Sequence, residues 1–124
     1  MSSGFRVHAE LADETIAGAV LGRVVGILGA RVALPIEKLS DALLVSDAVT
    51  AATRGGVHTI QIEAALEPKR LELRVGPLET GGARRLIGSI EGPLGAGALS
   101  QLVDELGTAG DDGAEYLILG LAPS

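Results

Sequence analysis

A chain of 124 residues with 47% hydrophobic content suits one domain that buries roughly two thirds of the surface its unfolded form would expose, and is too apolar for a disordered segment. Sixteen acidic against ten basic residues give a net charge of -6, which repels a phosphate backbone, and Phe5 and Tyr116 are the only aromatics on which bases could stack, so nucleic acid is excluded as a partner. With no cysteine there are neither disulfides nor thiolate metal sites, and His8 and His58 are too far apart for a local ligand pair; no metal site is read from the chain, and a reducing cytoplasm is compatible.

The opening "MSSGFRVHAE" holds no apolar core of signal-peptide length. Each long aliphatic stretch is broken by a charge or a glycine well short of the ~20 apolar residues that span a bilayer, so a soluble, cytoplasmic chain with no membrane partner is expected. "FRVHAEL" alternates Phe5, Val7, Ala9 and Leu11 against polar residues, the period of a strand with one buried face. From Asp13, an N-cap residue type, "ETIAGAVLGRVVGILGA" sets Ile16, Val20, Val24 and Ile27 or Leu28 at helical spacing. Gly18, Gly22, Gly26 and Gly29 weaken that helix by up to ~1 kcal/mol each relative to Ala. They also form a smooth ridge suited to tight packing within the domain or against another backbone.

Pro35 opens a second helix over "IEKLSDALLVSDAVTAATR", which Gly55 and Gly56 close. "VHTIQIEAALE" and "LELRV", joined by "EPKR", read as two adjacent antiparallel strands. "GPLETGGARRLIGSIEGPLGAG" is rich in glycine and proline and reads as a loop with at most one short helix around Ala83 to Ile87. "ALSQLVDELG" has Leu99, Leu102, Val103 and Leu106 at helical spacing, and "AEYLILGL" after the turn "GDDG" closes the chain as a strand. Helices grouped on one face of a mostly antiparallel sheet make an α+β two-layer sandwich, here as one domain over residues 1–124.

Asp47, Ala51 and Gly55 recur every four residues and share one face of the second helix, with Leu44 and Ala48 offset toward the sheet. "VSDAVTAATRG" follows, in its apolar and small positions, the outline V-S-E-A-x-x-N-A-x-x-H. On that stretch, and on the element order from "FRVHAEL" to "YLILGL", the chain resembles the GHKL superfamily of histidine kinase-like ATPase domains. It is most similar in size and order to the anti-sigma-factor serine kinases, and the resemblance implies the Bergerat-like form of the two-layer sandwich.

The functional positions depart from that family. Asp47 stands at the family's glutamate, which makes it the candidate general base, one methylene shorter. Ala51 stands where an asparagine holds magnesium, and a methyl group cannot coordinate a hard cation. Gly55 replaces a histidine. Pro77, in "VGPLETGG", stands near the adenine-binding aspartate and has no side-chain acceptor, with Glu79 as a substitute only if the loop shifts. Gly92, Gly95 and Gly97 lie where a glycine pair would lead into a phosphate-cradling helix.

Arg84 and Arg85 lie where the family folds a lid over the triphosphate, and suit either phosphate or an acidic partner. Asp111 and Asp112 before Gly113 read as a hairpin turn, and His58 has no Ser or Cys nucleophile to serve.

Losing a metal ligand and an adenine acceptor costs about 1 to 3 kcal/mol each. The resemblance with these losses implies a regulator that binds protein and holds ATP weakly or not at all, without a cofactor. Its implied partners are a sigma factor or a STAS-type anti-sigma antagonist, through a homodimer. The alternative is an active ATP- and Mg-dependent serine/threonine kinase with Asp47 as base.

Overall fold

Strict alternation places Leu71, Leu73 and Val75 of one strand on a single face, where all three are buried, with Arg70, Glu72 and Arg74 on the other. The computed structural model describes residues 4–10, 14–53, 59–66, 69–111 and 113–123. The elements run β1 (Gly4–Glu10), α1 (Glu14–Arg31), α2 (Ile36–Ala52), β2 (Thr59–Leu66), β3 (Lys69–Leu78), α3 (Gly82–Leu94), α4 (Ala98–Leu102), β4 (Glu105–Asp111) and β5 (Ala114–Leu121).

The five strands form one sheet in the order β1-β2-β3-β5-β4, and every neighbouring pair is antiparallel. Register lines the apolar residues up across the strands: Leu73 faces Ile62 on one side and Leu119 on the other, and Val75 faces Ile60 and Leu117. Onto this face pack Leu21, Val25 and Leu28 of α1, Ala42, Val45 and Val49 of α2, Leu86 and Ile90 of α3, and Leu99 of α4. The result is an α+β two-layer sandwich with one aliphatic core.

Over their described residues, the expected strands at "FRVHAEL", "VHTIQIEAALE", "LELRV" and "AEYLILGL" are present as β1, β2, β3 and β5, and so are both long helices. The choice left open in α1 falls to Leu28, which is buried while Ile27 is 58% exposed. Of the glycine ridge, Gly29 serves close packing: a Cβ there would stand 2.7 Å from Leu39 Cδ1, so α1 and α2 approach at this point, whereas Gly22 and Gly26 face open space.

Three expectations are corrected. The segment read as a loop over 76–97 continues β3 to Leu78 and then forms a 13-residue helix, α3. "ALSQLVDELG" is helical only to Leu102, and Glu105–Asp111 is an edge strand on β5. Asp104 ends the helix there: its N–H donates to Gly120 O at 2.8 Å, and its carboxylate accepts the Ala122 N–H at 2.8 Å, which ties this turn to the end of β5. Leu44, expected against the sheet, is 44% exposed, because α2 presents Val45, Ser46 and Val49 inward instead. The Asp13 cap, Gly55, Gly56, His58 and Asp112 lie outside the described residues.

Candidate functional site

Helix α2 mixes apolar and polar residues around its whole circumference with no single apolar stripe, so its spacing alone does not say which side is buried. Packing against α1 and the sheet selects Ala42, Val45, Ser46 and Val49 as the inner face, and leaves Ile36, Ser40, Leu43, Leu44, Asp47 and Ala51 exposed. Asp47 and Ala51 therefore share the outward face, as their spacing requires. Three hydroxyls of this stretch are committed to its own backbone: Ser46 donates to Leu43 O, Thr50 to Ser46 O and Thr53 to Val49 O, each at 2.9 Å.

Pro77 follows a cis Gly76–Pro77 peptide and borders an open hollow of about 340 Å³ whose lining includes Leu78, Glu79, Arg85 and Ser89. Glu79 and Arg85 form an ion pair, both side chains well exposed. Pro77 and Glu79 are thus brought together with Arg85, while Asp47, Ala51, Gly95 and Gly97 do not line this hollow. Arg84 is exposed on α3.

Two carboxylates that sequence reasoning missed occupy the helix starts. Helix α3 begins after Gly81 in the left-handed conformation (φ 81), which has no side chain with which to cap. Glu115 of β5 supplies the cap from across the fold, accepting the Ala83 N–H at 2.8 Å and the Gly81 N–H at 3.5 Å. Helix α4 begins after Gly97, also left-handed (φ 77), and its Leu99 N–H donates to Glu91 Oε2 at 2.9 Å. Gly95 and Gly97 both have positive φ, and a Cβ at either would meet nothing within 4 Å, so backbone conformation is what asks for glycine there. In both places the amides at a helix N-terminus already hold an anion, the chain's own.

At the far end of α2, Lys38 Nζ lies 2.9 and 3.0 Å from the two Asp104 carboxylate oxygens and 2.6 Å from Ala122 O. Partial burial pushes the Asp104 carboxyl up, but the Ala122 N–H and the hydrogen bond and charge of Lys38 more than offset it and hold the group below the usual aspartate value. This cluster joins the first turn of α2 to the end of β5.

The outer sheet face is polar. Arg70 lies across Gly120, where a Cβ would stand 2.8 Å from its Nη2, and reaches Glu105 at 2.7 Å and Glu72 at 3.0 Å. Arg74 stacks on the Tyr116 ring, 4.4 Å from its centroid.

No protein-family model matches the chain, and no curated protein matches it. Among the described residues no helix is long and apolar enough to cross a membrane.

Proposed function

We propose that this chain is a degenerate relative of the anti-sigma-factor kinases in the GHKL superfamily, acting in the cytoplasm as a protein-binding regulator with weak or no hold on ATP. The observation that carries the reading is the pair of glutamate caps: phosphate oxygens brought to the N-termini of α3 or α4 would have to displace Glu115 or Glu91. The donor set around α2 points the same way. Ala51 offers a methyl group where a magnesium ligand is needed, and Pro77 offers no acceptor for an adenine amino group. These residues do not fit a magnesium–nucleotide complex.

Two missing anchors at about 1 to 3 kcal/mol each weaken a nucleotide site roughly thirtyfold to twenty-thousandfold. What α2 keeps is an exposed helix face with leucines and an isoleucine on it, the kind of surface that binds protein. The partners this reading favours are a sigma factor or a STAS-type anti-sigma antagonist.

Calorimetric titration with magnesium and a non-hydrolysable ATP analogue tests the nucleotide half of the reading. No heat at millimolar nucleotide is the expected result. Micromolar affinity would overturn it in favour of a serine kinase using the exposed Asp47 as base. For the binding half, a pull-down that recovers neither sigma factors nor their antagonists counts against those partners.

A further inference from the structure

The hollow of about 340 Å³ between the end of β3 and the start of α3 lies at the small end of the ~300–1,000 Å³ typical of ligand sites, which sets the scale of an occupant at a small molecule. Its walls are fixed by the fold. Val75 pairs with Leu117 and Leu78 with Glu115, so β3 carries one more residue than β5 over this step, a bulge of the kind that re-aims side chains. The Gly82 N–H donates to Glu79 O at 2.7 Å, and Glu115 holds the Ala83 N–H at 2.8 Å, which ties the backbone of Glu79 to the first turn of α3. A Cβ at Gly82 would stand 2.9 Å from Leu78 Cβ, so glycine lets the helix start close on the strand end.

Two opposite charges share this hollow. The Glu79 carboxylate and the Arg85 guanidinium pair with each other, and among the described residues neither has another ionic partner. Ser89 follows Arg85 by four residues and brings a hydroxyl to the same side of α3. Exposed Pro77 and half-buried Leu78 add apolar surface beside them. A simple anion drawn to Arg85 meets Glu79, and a simple cation drawn to Glu79 meets Arg85. A molecule carrying both charges is opposed by neither. Because the two side chains are in contact, the ligand's charges must also be adjacent, as the ammonium and carboxylate of an α-amino acid are. An ion pair this exposed contributes little, so opening it to admit such a ligand costs little.

We propose that the hollow binds a small aliphatic α-amino acid, with Arg85 donating to its carboxylate, Glu79 accepting from its ammonium, and its side chain lying over Pro77 and Leu78. This goes beyond the protein-binding reading and does not rest on it, since neither a protein partner nor the α2 face enters the argument. An open site with two charged contacts and a partial apolar floor gives an affinity on the order of millimolar.

L-leucine titrated into the full chain, followed by two-dimensional amide NMR, is expected to shift the amides of Glu79, Gly82, Arg85 and Ser89 along saturable curves. Glycine, which lacks the aliphatic side chain, should bind about tenfold more weakly. Isovalerate keeps only the carboxylate and isoamylamine only the ammonium, and both should bind more weakly than leucine. Glu79→Gln and Arg85→Gln should each weaken leucine about three- to thirtyfold, with circular dichroism showing helix content intact. The single-charge probes should respond in the opposite sense: Glu79→Gln tightens isovalerate and Arg85→Gln tightens isoamylamine, because each substitution removes the opposing charge. Arg84→Gln, at an exposed neighbour that does not line the hollow, should leave leucine binding unchanged.

Absence of saturable shifts at about ten times the millimolar range overturns the site. So does leucine binding that is indifferent to both glutamine variants, or isovalerate or isoamylamine binding the wild type as tightly as leucine. None of these results bears on ATP, a sigma factor or an antagonist, whose own titration and pull-down decide the other reading.

Discussion

Glu115→Ala removes the only side chain among the described residues that caps the start of α3. In the intact protein its two oxygens take the Ala83 N–H at 2.8 Å and, more loosely, the Gly81 N–H at 3.5 Å, and Gly81 has no side chain to replace it. Loss of a cap costs about 0.5 to 2 kcal/mol, and loss of a negative charge at a helix N-terminus about 0.3 to 1 kcal/mol more. For a domain of this size the sum lowers Tm by roughly 3 to 12 °C. Glu115→Gln keeps an acceptor oxygen and loses only the charge, so its fall should be the smaller part of the total.

Thermal melts followed by circular dichroism near neutral pH give the order wild type, Gln, Ala. Hydrogen exchange adds location: the Ala83 amide should exchange faster while the α2 amides hold their protection. If Ala costs no more than Gln, or neither differs from wild type by more than ~0.3 kcal/mol, the cap is not stabilising and the reasoning fails. The same variant bears on anion binding, since removing the carboxylate frees the amides. Inorganic phosphate should raise its Tm more than that of the wild type, and an equal response would mean that Glu115 is not what fills this position.

The cluster at Asp104 predicts an acid dependence. Because its pKa is lowered in the folded chain, the unfolded chain binds the proton more readily; the stabilisation is complete above the ordinary aspartate value and is lost as pH falls through the lowered one. The stability difference between wild type and Asp104→Asn should therefore shrink on acidification below that ordinary value, and a difference that stays constant into strong acid would contradict the assignment. Gly76→Ala would set a Cβ 2.8 Å from Tyr116 Cε2 and 3.0 Å from the Glu115 carbonyl oxygen, and should cost about 1 to 3 kcal/mol in denaturant unfolding. Adding Tyr116→Ala should recover part of that loss by removing the ring. It should not recover all, because the backbone oxygen stays; an unchanged loss would mean the ring is not the obstacle.

Much of the fold was legible because alternation and helical spacing are local. β5 runs over the eight residues of "AEYLILGL", and β2 and β3 pair as their spacing and the short turn between them suggested. Local signals misled where glycine and proline looked like loop. "GARRLIGSIEGPL" contains three glycines and a proline, yet it is a helix that buries Ala83, Leu86 and Ile90 and receives its cap from a strand 32 residues onward. "ELGTAGD" has no strand alternation of large residues. It is a strand because β5 offers it an unpaired edge. The candidate site was legible in part: Asp47 and Ala51 share a face as their spacing says, but the glutamates at the two helix starts had no sequence signal, since each meets its amides only through the fold.

The sequence by itself determined the chemistry that is present: one aliphatic core, a net negative charge, a methyl group at position 51 and a proline at position 77. Those are properties of side chains wherever they end up. Only the tertiary structure decided which side of α2 faces out, which carboxylates fill the amides of α3 and α4, and where helix gives way to strand after Leu102. A helix whose apolar and polar residues are spread around its circumference carries no orientation of its own, and a backbone amide is satisfied by whatever acceptor the packed chain brings within about 3 Å.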